Sequence, residues 1–174
     1  PARDDILEIA VLREEEGKGG SLFIHEHYQL GQALNCEPVD NYFELHADER
    51  PAVLVAGGIG ITPIKAMVHE LRERGVKLTL HYAGRKLNEM AFQARLQKTL
   101  PGRVRLYRAD QSERLDLHAV LREAPADAVF YGCGPQRLMD ALEAAADKLN
   151  IPRSRVRLER FSAVQIAGAQ AITV

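Results

Sequence analysis

The sequence predicts an α/β fold: a five-stranded parallel doubly wound sheet, preceded by part of an antiparallel β-barrel. Three observations carry this. From Ala52 onward, short apolar runs alternate with amphipathic stretches, the pattern of repeated βαβ units. Two of those runs, Val53 to Ala56 and Ala128 to Tyr131, lead into glycine turns followed by a proline. The first fifty residues read instead as strand and turn, too few to close a barrel alone. A composition shift at Glu49-Arg50-Pro51 separates the two parts. The expected division is 1–50 for the barrel part, 51–161 for the sheet, and 162–174 as a linker.

The elements follow in order. Residues 5–13 predict a strand, with Leu7, Ile9 and Val11 on one face. Glu14 to Gly20 is a turn, and Ser21 is the expected cap of a short helix over Leu22 to His27. Leu30-Gly31-Gln32 reads as a turn, Leu34 to Glu37 as a short strand, and Pro38 to Arg50 as irregular. Val53 to Ala56 suit a strand buried on both faces. Gly57, Gly58 and Gly60 are expected to turn the chain with positive φ. Thr62 is the expected cap of the next helix, and Pro63 its first residue. Ile64, Met67, Val68 and Leu71 share one face of that helix, and Gly75 closes it. Val76, Leu78, Leu80 and Tyr82 alternate as strand two. Asn88 is the expected cap of a helix holding Phe92 and Leu96. Val104, Leu106 and Tyr107 mark strand three, and Asp116 caps a helix with Leu117, Val120 and Leu121. Strand four, Ala128 to Tyr131, enters the turn Gly132-Cys133-Gly134-Pro135. A helix with Leu138, Met139, Leu142, Ala145, Ala146 and Leu149 on one face follows, then strand five at Val156 and Leu158.

Composition narrows the function. Hydrophobic content of 46% and charge of 27% suit a globular domain, and a net charge of -1 points away from nucleic acid and anionic membrane. No apolar run has transmembrane length, and the first residues do not form a signal peptide. Cys36 and Cys133 have no CxxC spacing, so no metal site is predicted and a cytoplasmic setting is expected. His25-Glu26-His27 is a solvated turn by the same reading, not a ligand pair.

The chemistry gathers at two turns. A strand, a glycine turn and a helix together aim N–H groups and a positive dipole end at one point, where a diphosphate fits. Gly58-x-Gly60-x-x-Pro63 has two of the three glycines of the dinucleotide fingerprint, and no acidic residue ends strand two at Gly84-Arg85. In a parallel sheet the second turn opens on the same edge, so Cys133 is expected to face a shared crevice. With no base beside it in sequence, Cys133 has no covalent role. Arg85 follows strand two, where an adenosine ribose would lie, and Phe161 ends strand five at the same edge. Gly20-Ser21 offers a smaller anion site at a helix start.

Together these motifs resemble the ferredoxin-reductase superfamily, in particular the phthalate dioxygenase reductase and vanillate demethylase reductase group. Ile9-Ala10-Val11 resembles the barrel strand whose backbone runs along the flavin, and Gly19-Gly20-Ser21 the turn that takes the flavin phosphate. Pro38-x-x-Asn41-x-Phe43-x-Leu45 is similar to the barrel exit. Gly57-Gly58-Ile59-Gly60-Ile61-Thr62-Pro63 resembles the nucleotide loop. Gly132-Cys133-Gly134-Pro135 with Met139 resembles the nicotinamide-side motif, and Glu159-Arg160-Phe161 the segment whose ring lies against the flavin. The family's Arg-x-Tyr-Ser flavin segment is expected before Pro1, and a ferredoxin domain beyond residues 162–174. The resemblance therefore implies a piece of a longer reductase. Its cofactors would be NADH (NADPH as the alternative), FMN (or FAD) and a [2Fe–2S] cluster in the further domain. Its partner would be a terminal oxygenase. Cys133 and Phe161 would border the reacting rings. Two alternatives stand beside this: a non-catalytic nucleotide-binding or docking domain, and the same module serving another acceptor, as in flavohaemoglobin or electron-transfer subunits.

Overall fold

The computed structural model describes residues 6–36 and 40–161. Five parallel strands form one sheet in the order β3-β2-β1-β4-β5: β1 (Ala52–Gly57), β2 (Leu78–Gly84), β3 (Val104–Arg108), β4 (Val129–Gly134) and β5 (Val156–Arg160). Chain order runs outward from β1 to one edge, then back past β1 to the other. This reversal makes the switch point lie between β1 and β4. β1 is the central strand, and all six of its residues are buried, as an apolar run without alternation requires. The register sets Gly57 level with Ala83, Ala56 with Cys133, and Cys133 with Glu159.

Helices cover both faces of the sheet. The helix α2 (Ile61–Glu73) buries Ile61, Ile64, Met67, Val68 and Leu71 against Leu54, Leu80, Tyr82 and Tyr131. Its end is a full glycine closure: Gly75 has φ 71°, its N–H donates to Arg72 O, and Val76 N–H donates to Leu71 O. On the opposite face, α4 (Leu117–Glu123) and α5 (Gln136–Lys148) bury Leu117, Leu121, Leu142, Ala145 and Ala146 against Val53, Val55 and Phe130. Asp116 caps α4 as expected, accepting from Ala119 N–H at 3.0 Å.

The third helix departs from expectation. Asn88 lies in a 3₁₀ turn (Leu87–Glu89), and α3 (Gln93–Thr99) starts only after Phe92, which has φ 61°. Met90 explains the delay. It turns inward and is buried against Gly84, where a Cβ would come within 2.5 Å of its Cγ. The backbone uses residues 90–92 for that inward turn before a helix can begin.

Residues 6–36 correct the expected strands. Residues 6–13 pair with no described segment, and neither do Leu34 to Cys36; Asp5 and Glu37, the outer ends of those expected strands, lie outside the described residues. A strand exists only through its ladder partner, and residues 6–36 offer no second strand to pair with. Leu7 and Ile9 are accordingly 72% and 75% exposed. The helix α1 (Gly20–His27) forms where expected, but Gly19, at φ 91°, stands at its N-cap. Ser21 lies inside the first turn, and its Oγ accepts from Glu14 N–H at 3.1 Å.

The segment before β1 is tied to the sheet by a buried histidine. His46 Nε2 donates to Arg50 O at 2.8 Å, so Nδ1 is the acceptor for the Tyr131 hydroxyl at 2.7 Å. The Tyr131 hydroxyl oxygen also accepts from His46 N–H at 2.8 Å, and Arg74 donates to the carbonyls of His46 and Asp48.

Candidate functional site

The corner after β1 is built by three glycines with three different duties. Gly58, Ile59 and Gly60 form a 3₁₀ turn that runs straight into α2 at Ile61. Only Gly58 has positive φ, at 54°; Gly57 and Gly60 have φ of -122° and -59°, which corrects the expectation for those two. Gly60 is small because the β4 backbone crosses it: a Cβ there would lie 2.3 Å from Cys133 O. At Gly57 a Cβ would meet Leu138 Cδ2 at 2.6 Å and Pro135 Cδ at 2.9 Å. Gly134, with φ 156°, is pressed against Gly57 from the other side, its own Cβ position 3.0 Å from Gly57 Cα. The close approach at these three glycines is therefore protein on protein, and it locks the ends of β1 and β4 together.

Gly58 is the one with open space. It is exposed, and a Cβ there would meet nothing within 4 Å. Just past it stands the N-terminus of a 13-residue helix with no acidic residue in its first turn. The positive end of that dipole is left for an anion. The helix starts earlier than expected, so Thr62 is its second residue and Pro63 its third. The Thr62 hydroxyl donates to Ile59 O at 3.0 Å and braces the turn rather than capping the helix.

The second motif is the end of a strand, not a turn. Gly132, Cys133 and Gly134 belong to β4, and Pro135 is the N-cap of α5. Cys133 does not face an open crevice: its exposure is 0%, and it packs in the core beside Ala56 and Tyr131. Burial, then the nearby Glu159, pushes its thiol up to about 12, so no thiolate forms at neutral pH. Ile61 and Met139 are also fully buried and serve the core. At Gly132 a Cβ would meet Leu142 and Leu158 side chains, each at 2.7 Å. Among the expected residues, those that reach the surface at this edge are Gly58, half-buried Thr62 and Pro63, Pro135, Arg85 beyond β2, and Phe161 beyond β5. Phe161 is 53% exposed.

A second group lies apart in the N-terminal segment. Ile9, Ala10 and Val11 run without ladder bonds, although His25 Nε2 holds Val11 O at 2.9 Å. Gly19 and Gly20 have open space where a Cβ would stand, and α1 has no acidic residue in its first turn. Ser21 Oγ is used there as an acceptor, which leaves its proton to donate. The link between this group and the sheet is Glu8. Its carboxylate pairs with Lys65 of α2 and, at 3.0 Å, with Arg95 of α3.

Sequence reasoning missed Glu159 as well. It sits level with Cys133 on the same face of the sheet, half-buried, and burial pushes its carboxyl up from the ordinary range. The available signal was alternation: Arg157 and Glu159 share the face of β5 that continues the Tyr131 and Cys133 row.

The family model for the oxidoreductase NAD-binding domain matches residues 54–144, more than half of the chain. The chain belongs to this family. A heme-dependent oxidative N-demethylase beta subunit from Ectopseudomonas mendocina is 36% identical over 165 residues, covering 95% of this chain and 53% of that relative. A vanillate O-demethylase oxidoreductase from Acinetobacter baylyi is 36% identical over 163 residues, covering 93% of this chain and 51% of the relative. Among solved structures, phthalate dioxygenase reductase superposes with a TM-score of 0.80 at 30% identity, covering 88% of this chain and 49% of that one. The sheet is thus the NAD-binding domain of the ferredoxin-reductase fold, and the chain spans about half the length of the curated relatives it matches.

The residues fit a dinucleotide. The open Gly58 corner and the uncompensated start of α2 suit a diphosphate, and Arg85 and Phe161 stand at the same sheet edge on either side. Gly19, Gly20 and Ser21 fit a single phosphate.

Proposed function

We propose that the chain is the nucleotide-accepting part of a reductase component that passes electrons from NADH through FMN to a [2Fe–2S] centre and a terminal oxygenase. The observation that carries this is the corner at Gly58. It is the one glycine of the turn with room for a ligand, it opens at the switch point of the sheet, and a 13-residue helix points its N-terminus there.

When bound, the nicotinamide supplies a hydride and the flavin divides that pair of electrons into single ones. The chain's own residues bind and orient. Gly58 and the first turn of α2 receive the diphosphate, with Thr62 bracing the turn through Ile59 O. Gly60 and Gly134 lock β1 to β4, so the seat for the nucleotide would be set by backbone rather than by mobile side chains. Phe161 presents an exposed aromatic ring at the end of β5, which would be free to cover a flat ring. Cys133, being buried and neutral, would act only by shape, through the packing that supports this sheet edge, and not as a base. The backbone of Ile9, Ala10 and Val11 would line the flavin, and Gly19 to Ser21 would receive its phosphate. A seat for one phosphate favours FMN over FAD. Cys36 and Cys133 are both free thiols, which suits a reducing cytoplasm.

A second reading changes only the acceptor, from an iron–sulfur centre to haem. It is favoured by the relative named as a heme-dependent oxidative N-demethylase beta subunit. The test is anaerobic reduction of the intact parent reductase, loaded with FMN, by NADH and by NADPH. Rapid flavin bleaching by NADH supports the proposal. No bleaching by either nucleotide would leave only a docking role.

A further inference from the structure

Doubly wound dinucleotide domains usually hold the adenosine ribose with an acidic residue at the end of the second strand. Here β2 ends in Gly84, Arg85 follows it, and no carboxylate comes directly after. The structure brings one from the neighbouring strand. Gly84 of β2 is level with Arg108 of β3, so both strands leave the sheet at one height. Two residues past β3, the N–H of Asp110 donates to Arg85 O at 3.0 Å. That bond sets the 3₁₀ turn Ala109–Gln111 directly against the exit of β2.

Four neighbouring charges are already matched among themselves. Arg108 donates to both oxygens of Glu113, at 2.8 Å each, and this pairing holds the Glu113 carboxyl down to about 2. Lys86 pairs with Glu89 at 3.7 Å. Arg85 and Asp110 are exposed, and neither enters an ion pair with another described residue. Arg85 and Asp110 therefore stand side by side at the β2 exit, where an adenosine ribose would lie, with neither held in an ion pair among the described residues.

We propose that Asp110 supplies, from the exit of β3, the carboxylate that accepts the ribose 2′-hydroxyl and repels a 2′-phosphate, so that the site selects NAD(H) over NADP(H). The inference rests on the nucleotide-binding reading above. Arg85 contributes attraction to either ligand; Asp110 sets the difference between them. A 2′-phosphate brings about two negative charges beside an existing one, whereas a diol brings two donors.

The test is calorimetric titration of the 174-residue chain with ADP-ribose and with 2′-phospho-ADP-ribose. Both lack nicotinamide, so their ratio reads the ribose edge alone. The wild type is expected to bind ADP-ribose at least about tenfold more tightly, the order of one like charge removed at an exposed site. Asp110→Asn and Asp110→Ala are each expected to shrink that ratio by about tenfold, by weakening ADP-ribose and tightening its phosphorylated form. An unchanged ratio in both variants, or a wild type that prefers the 2′-phosphate, would overturn the role of Asp110 while the nucleotide site stands. Binding of neither probe to the wild type would instead overturn the nucleotide reading itself.

Discussion

Cys133 and His81 show how burial fixes the chemistry of single side chains. A thiol pushed up to about 12 by burial is inert to disulfide exchange, while Cys36 is exposed. With an aromatic disulfide reagent at pH 8, the native chain is expected to react at one thiol and to release the second only on unfolding. Prompt reaction of both would contradict the placement of Cys133. Its full burial among apolar groups also means that Cys133→Ser sets a hydroxyl in the core, at a cost of about 1–3 kcal/mol in urea unfolding. Cys133→Ala, which leaves no polar atom, separates loss of shape from loss of stability. His81 is held neutral down to about 4, chiefly by burial and then by Arg105, with its Nδ1 2.8 Å from the Tyr107 hydroxyl. The unfolded chain takes up that proton below about 6.5. Stability from this residue is therefore complete above pH 6.5 and is lost as the pH falls toward 4, at up to about 1.4 kcal/mol per pH unit. His69, also lowered by burial, adds the same sign. Between pH 7 and 5, urea unfolding should show a steeper loss for wild type than for His81→Gln; equal slopes would rule out a buried neutral histidine.

At the scale of elements, the corner between β1 and α2 separates a folding role from a binding role. Gly60 faces the Cys133 carbonyl, a backbone atom that cannot move aside, so Gly60→Ala must force β1 and β4 apart. Gly58 faces open space, so Gly58→Ala meets no clash and carries only the left-handed backbone penalty of roughly 1–2 kcal/mol. Gly60→Ala is expected to lose cooperative thermal unfolding, or several kcal/mol of stability. Gly58→Ala should fold and yet bind nucleotide at least about tenfold more weakly, because its new methyl enters the diphosphate seat. A Gly60→Ala variant as stable as wild type would show that the locked strand ends are not required.

Across the whole molecule, the sheet was legible because its signals are local. The apolar run of β1, the alternation of β2, the Asp116 cap and the apolar faces of α2 and α5 each appear within a few residues of sequence. What the sequence did not show is what depends on partners far along the chain. Residues 6–13 carry strand-like alternation but have no ladder partner among the described residues. Gly57 and Gly60 look like ligand-facing glycines, yet their space is claimed by the start of α5 and by β4, more than seventy residues later. Cys133 sits in a motif that suggests an open turn, yet the strand runs on through it and buries its thiol. Asp110 reaches the β2 exit only through the register of β3.

On this reading a nicotinamide dinucleotide binds at the Gly58 corner. The direct measurement is a titration of the isotopically labelled chain with NADH, followed through its backbone amide resonances. Saturable shifts are expected to concentrate at Gly58, Ile59, Gly60, Ile61 and Thr62, with further shifts at Arg85 and Gly134, and little change in the remote turn of α5. Saturating NADH that leaves the Gly58 to Thr62 amides unmoved would contradict it.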